Sequence, residues 1–154
     1  MTVIFSIMES QMPWGQGDWE NAATYNEGGE KIKEAADGIG MQYHAFRSFA
    51  EILKSRGDMA GYEKWMAKAN NILKMFSTDF WEGTTYYRGR STTDFVAGYG
   101  KESSFLMLKT LLPEPGESAE KYLDLVWDNC ANDNIEAKSY LPDVFFLYGQ
   151  KERG

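Results

Sequence analysis

Five carboxylates stand close together near the start of this 154-residue chain: Asp18, Glu20, Glu27, Glu30 and Asp37. Paired carboxyl groups are what hydrolysis of a glycosidic bond requires, about 5–9.5 Å apart across the scissile bond. Crowding of like charges raises the pKa of one member, which then stays protonated and serves as the acid. On that ground Asp18 and Glu27 are the candidate catalytic residues. Trp14 and Trp19 flank the same stretch, in Trp14-Gly15-Gln16-Gly17-Asp18-Trp19. An indole face covers the apolar C–H face of a sugar ring while its N–H remains free to bond. Trp14, Asp18 and Trp19 are therefore the candidate substrate-binding residues. Each also has a purely structural reading. Asp after Gly forms turns. Glu27, Glu30 and Glu34 precede a helix, where acids complement the helix dipole. The two indoles can pack a loop against helix ends.

The remaining reactive residues are isolated. His44 is the single histidine, which excludes a multi-histidine metal site and reads as a hydrogen-bonded structural residue. Cys130 is the single cysteine, which excludes an internal disulfide, and it lies on an apolar helical stripe as a buried thiol. Arg88-Gly89-Arg90 is a small basic spot, suited to a carboxylate-bearing sugar or to a solvated loop. Tyr86, Tyr87 and Tyr99 line a groove or pack, and Trp65, Trp81 and Trp127 read as core. There is no P-loop, no dinucleotide-binding glycine motif and no clustered set of metal ligands, so no metal or cofactor is expected.

Composition places these residues in a globular chain. Apolar residues make up 43% and charged residues 25%, close to the average for a folded domain. The length fits one domain. The net charge of −7 argues against a nucleic-acid surface, which concentrates positive charge. No apolar run approaches the ~20 residues that cross a bilayer, so no membrane partner is expected. Thr2 to Met8 lacks the basic start and cleavage site of a signal peptide. The location therefore stays open, cytoplasmic by default, with export of a parent protein compatible. Aromatic residues reach 15%, an excess that fits carbohydrate binding.

The elements that must position these groups are mainly helices. Residues 1–30 read as an irregular aromatic and acidic region, and residues 31–154 as helical hairpins. Phe46, Phe49, Ala50 and Leu53 mark one face of a first helix, about 41–56, with Gly38 and Gly40 weakening its start. Gly57 fits the left-handed position after a helix, and Asp58 the N-cap of the next. Tyr62, Trp65, Met66, Ala69, Ile72, Leu73, Phe76 and Phe80 form one stripe of a helix over 59–81. The spacing predicts a β excursion near 84–88, a loop to residue 100 and a third helix over 101–112, stopped by Pro113 and Pro115. Ala119, Tyr122, Leu123, Val126 and Cys130 predict a fourth helix over 117–131. Pro142 suits the first turn of a last helix that Gly149 ends. No fixed 34-residue repeat runs through the chain, which argues against a tetratricopeptide array.

This series resembles the catalytic domain of six-hairpin (α/α)6 glycosidases, and within them the bacterial α-L-rhamnosidase type. Gly17-Asp18-Trp19 is similar to that family's Gly-Asp-Trp loop. Tyr43 to Arg56 followed by Gly57-Asp58, then Tyr62 to Trp81, resemble its helix, tight turn and next helix. Tyr86-Tyr87 with Ser91-Thr92-Thr93, and the run from Leu141 to Gly149, resemble later segments. The resemblance implies an all-α fold, antiparallel hairpins forming part of an (α/α)6 toroid, and a carbohydrate as partner. Twelve helices need well over ~200 residues, and this chain offers about five. The family's acidic motif carrying the general acid has no match in residues 1–12, and its second carboxylate comes from a later segment. The resemblance thus implies part of a glycoside hydrolase domain without its full catalytic pair. The alternative is a non-catalytic helical-hairpin module that binds a protein partner or a sugar. An incomplete arc exposes apolar helix faces, so self-association is expected.

Overall fold

A computed structural model describes residues 34–91, 94–100 and 102–154, leaving aside the side chains of residues 34, 102, 103, 136 and 137. The architecture is all-α, with a small sheet. Its elements in chain order are β1 (Glu34–Ala35), α1 (Ala36–Ser55), α2 (Met59–Asp79), β2 (Gly89–Arg90), β3 (Phe95–Val96), α3 (Glu102–Lys109), α4 (Glu117–Asn129) and α5 (Ile135–Leu147). A single 3-10 turn, Cys130–Asn132, extends α4.

The long hairpin of α1 and α2 closes as its turn residues dictate. Gly57 takes φ +82°, open to glycine because it has no Cβ to clash. The Asp58 carboxylate then accepts a hydrogen bond from the Gly61 N–H at 2.8 Å, satisfying one orphan donor of the new helix. Contacts across the pair run in opposite senses: Lys54 lies over Tyr62, Phe49 meets Trp65, and Lys68 reaches Phe46. The two helices are therefore antiparallel neighbours. The α2 stripe faces inward as expected, with Ala69, Phe76 and Phe80 fully buried.

Helix α1 starts at Ala36, five residues before the expected start at 41. Gly38 and Gly40 lie inside it. Two physical causes act. The Ala36 N–H donates to the Arg88 carbonyl at 2.9 Å, so the sheet satisfies a helix donor that no side chain caps. Gly40 then lets α1 press against Thr110, where a Cβ would stand 3.3 Å from the threonine Cβ.

The β excursion exists but is displaced. Residues 83–85 form a turn, after which Tyr86 pairs with Trp81 in one antiparallel bridge. Gly83 at φ +96° and a bond from the Glu82 N–H to the Thr85 carbonyl place the β-branched residues in that turn. The strands are β2 and β3, antiparallel, with β1 pairing Ala35 to Gly89 on the other edge of β2. Helix α3 ends at Lys109, before the prolines, because the chain turns at Leu111, a non-glycine residue with φ +56°. Helix α5 begins at Ile135, so Pro142 sits within it and not at its start. Helix α4 matches its predicted stripe, with Ala119, Tyr122, Leu123 and Val126 all inaccessible to solvent.

The aromatic excess fills the core. Phe76 stacks on Phe80 and on Tyr86, each at 5.1 Å between centroids. Tyr86 meets Tyr122 edge-on at 5.9 Å, and Phe80 meets Phe95 at 5.1 Å. This ladder joins α2, the 81–88 turn, α4 and β3. Offset and edge-on ring pairs add about 0.5–1.5 kcal/mol each beyond their burial.

Candidate functional site

A groove of about 640 Å³, within the size range of ligand sites, lies among the described residues. It lies where α1, α3 and α5 meet. Helix α1 contributes Met41 and His44. Leu106, Lys109 and the following Thr110 come from α3. Helix α5 contributes Asp143, Phe146 and Leu147. The helices meet here because Gly40 allows α1 onto Thr110 and because α5 packs Leu141, Val144 and Phe145 inward. The opposite face of α5 then leaves Phe146 and Leu147 about half exposed, at 54% and 46%.

Polar groups on the groove are few. Lys109 Nζ pairs with Asp143 Oδ2 at 3.2 Å and lies 4.9 Å from the Tyr140 ring. Both partners keep substantial solvent contact, so the pair contributes at most about 1 kcal/mol. The Thr110 hydroxyl donates to the Met107 carbonyl at 2.7 Å, which fixes its rotamer. His44 is exposed on the rim and not the structural histidine expected from sequence. Asp143 is the one carboxylate among the groove's described lining residues. Among the described residues the groove therefore carries no pair of carboxylates.

The candidate residues Trp14, Asp18, Trp19 and Glu27 lie outside the described residues, as do Glu20 and Glu30. Asp37 lies in the first turn of α1, where its carboxylate accepts from the Gly38 N–H at 2.8 Å. Other expectations divide. Trp65 packs against Phe46 and Phe49, and Trp81 against Tyr86, as core residues do. Trp127 does not: it is 44% exposed, edge-on to Phe145 with Arg153 over its ring. The α4 stripe turns inward around it, because position 127 falls one residue past Val126 on the helix. Arg88 is buried and not in a solvated loop; its Nε donates to the Ala97 carbonyl at 3.3 Å, tying β2 to the end of β3. Arg90 is exposed, beside the Phe95 ring. Tyr86 is buried, and Tyr87 stacks on Phe95. The Tyr99 hydroxyl donates to the buried Asp133 carboxylate.

Cys130 is buried as expected. Burial, and then the nearby Asp133 charge, push its thiol above the ordinary range. No three ligand-type side chains cluster for a metal among the described residues. No described helix is long and apolar enough to cross a membrane. Sequence reasoning missed the groove, whose polar members come from three separate elements with no motif spacing between them.

No protein-family model, curated protein or solved structure matches this chain significantly.

Proposed function

We propose that this chain is a helical segment of a carbohydrate-processing (α/α)6 domain, α-L-rhamnosidase-like. In this reading it supplies scaffold and sugar contacts without a full catalytic carboxylate pair. The observation that carries it is the arrangement around α1. This helix meets α2 through Phe46 and Phe49 and meets α3 through Gly40, on a different side. Helices standing side by side, joined by a tight turn, are what an arc of a toroid requires. Trp14, Asp18 and Trp19 are the proposed sugar contacts, with Asp18 and Glu27 as the carboxylates nearest such a site in sequence. Fold supports activity only indirectly, so the test is binding. The chain is titrated in a thermal-shift assay with L-rhamnose, uronic acids and glucose. A ligand that binds only the folded state raises the melting temperature by mass action. The expected result is a saturable shift with one sugar, lost in Trp19→Ala.

A second reading is favoured by the groove itself. Its lining is largely apolar, and Asp143 is its one carboxylate among the described residues. That suits a non-catalytic helical-hairpin module that docks a protein. No shift with any sugar, from a chain that melts cooperatively, counts against the sugar reading and leaves a scaffold segment or this partner-binding module.

A further inference from the structure

Helix α1 is asymmetric in charge. Its exposed Arg47, Glu51 and Lys54 fall on one flank, with Glu51 and Lys54 paired at 3.9 Å. The line from Met41 through Ala45 and Ser48 to Ile52 follows the helical spacing i, i+4, i+7, i+11 and carries no charge. All four are exposed, Met41 at 51% and Ile52 at 48%. A solvated helix face in a chain with 25% charged residues is ordinarily polar. This uncharged line opens at Met41 onto the groove, where Phe146 and Leu147 continue the apolar surface.

We propose that this face is a two-fold interface with a second copy of the chain, α1 and α5 of each copy packing on those of the other. The charge distribution selects that occupant. The chain carries −7 overall, so two copies repel on average. Among the groove's described lining residues the formal charges are one cation and one carboxylate, Lys109 and Asp143, side by side at 3.2 Å, with the His44 imidazole beside them. A two-fold axis makes an interface self-complementary. An axis that passes beside this pair brings the Lys109 of each copy opposite the Asp143 of the other, while the uncharged line meets its own equivalent. A strongly acidic or basic partner gains no such match. The helices involved are among the described residues, so the proposal does not rest on the sugar reading.

The test is the oligomeric state by sedimentation velocity over a concentration series. The wild-type chain is expected to show a concentration-dependent dimer. Met41→Glu and Ile52→Glu place like charges across the axis and are expected to raise the dissociation constant of the dimer about tenfold or more. Both side chains are half exposed, so each variant keeps its helical circular dichroism. Lys109→Glu alone and Asp143→Lys alone also weaken the dimer, since each opposes like charges. An equimolar mixture of those two variants restores it, because every cross-pair is again of opposite sign. A restored mixture is not explained by the pair within one chain, which stays broken in both. A wild-type chain that is monomeric throughout, a dimer untouched by Met41→Glu and Ile52→Glu, or a mixture no tighter than its components overturns the proposal.

Discussion

Gly40 of α1 lies directly against Thr110, so that a methyl group added there would overlap the threonine hydroxyl and stand 3.3 Å from its Cβ. The hydroxyl is held by its 2.7 Å bond to the Met107 carbonyl and does not swing away easily. Two effects oppose each other in Gly40→Ala. Alanine favours a helix interior over glycine by about 0.5–1 kcal/mol. Overpacking costs about 1–3 kcal/mol. The clash wins, and the variant is expected to lose about 1–2 kcal/mol in chemical denaturation. Thr110→Ala in the same chain removes the obstructing oxygen, so the double variant is expected to recover part of that loss. Additive effects would show that the two residues do not press on each other.

The Asp58 cap makes a simpler prediction. Its carboxylate bonds the Gly61 N–H at 2.8 Å, and both groups are exposed. Asp58→Ala is expected to cost about 1 kcal/mol, and Asp58→Asn to retain most of the stability, because both side chains cap well. Urea denaturation checks the pair. Equal losses in the two variants would assign the effect to charge and not to the hydrogen bond.

The contrast between α4 and α5 shows what sequence carries. In α4 the apolar side chains alone decide which face is buried, so Ala119, Tyr122, Leu123 and Val126 are readable from spacing. In α5 the strongest local signal is Pro142, which favours a first turn but is tolerated at position 142, exposed, inside a helix from Ile135. Tertiary packing of Leu141, Val144 and Phe145 overrides the local preference. The start of α1 fails for a similar reason, since its first donor is satisfied by the Arg88 carbonyl, more than 50 positions away in sequence. The groove is illegible because Met41, Lys109 and Asp143 converge only after three helices pack. The candidates named from sequence, Trp14, Asp18, Trp19 and Glu27, lie outside the described residues.

Cys130 is expected to resist modification. Its thiol is buried, bonds the Trp127 carbonyl at 3.4 Å, and is pushed toward the protonated form by burial and by Asp133. The thiolate is the reactive species. Alkylation of the native chain near pH 8 is therefore expected to be slower than that of the denatured chain by about an order of magnitude or more. Equal rates would mean that the 3-10 turn opens freely.

Alkaline pH is expected to destabilise the fold through Tyr148. Its hydroxyl donates to the Pro113 carbonyl at 2.6 Å, joining the end of α5 to the loop after α3. Burial is the main cause that raises its pKa above the ordinary value of 10.0, with smaller contributions from Tyr86 and Tyr43. The folded state thus holds the proton more tightly than the unfolded state. Stability from this source is complete below the unfolded pKa and is lost as pH rises past it. Thermal melts are expected to stay level from about pH 7 to 8, to begin to fall as the Cys130 thiol titrates in the unfolded chain, and to fall more steeply above about pH 10. Tyr148→Phe removes the titrating group and leaves the Pro113 carbonyl without this donor. The variant is expected to be less stable by about 1–3 kcal/mol at neutral pH and to decline less steeply in alkali. Some decline remains, because burial also raises the Tyr86 hydroxyl and the Cys130 thiol. An alkaline profile as steep as the wild type would show that Tyr148 is not the group responsible.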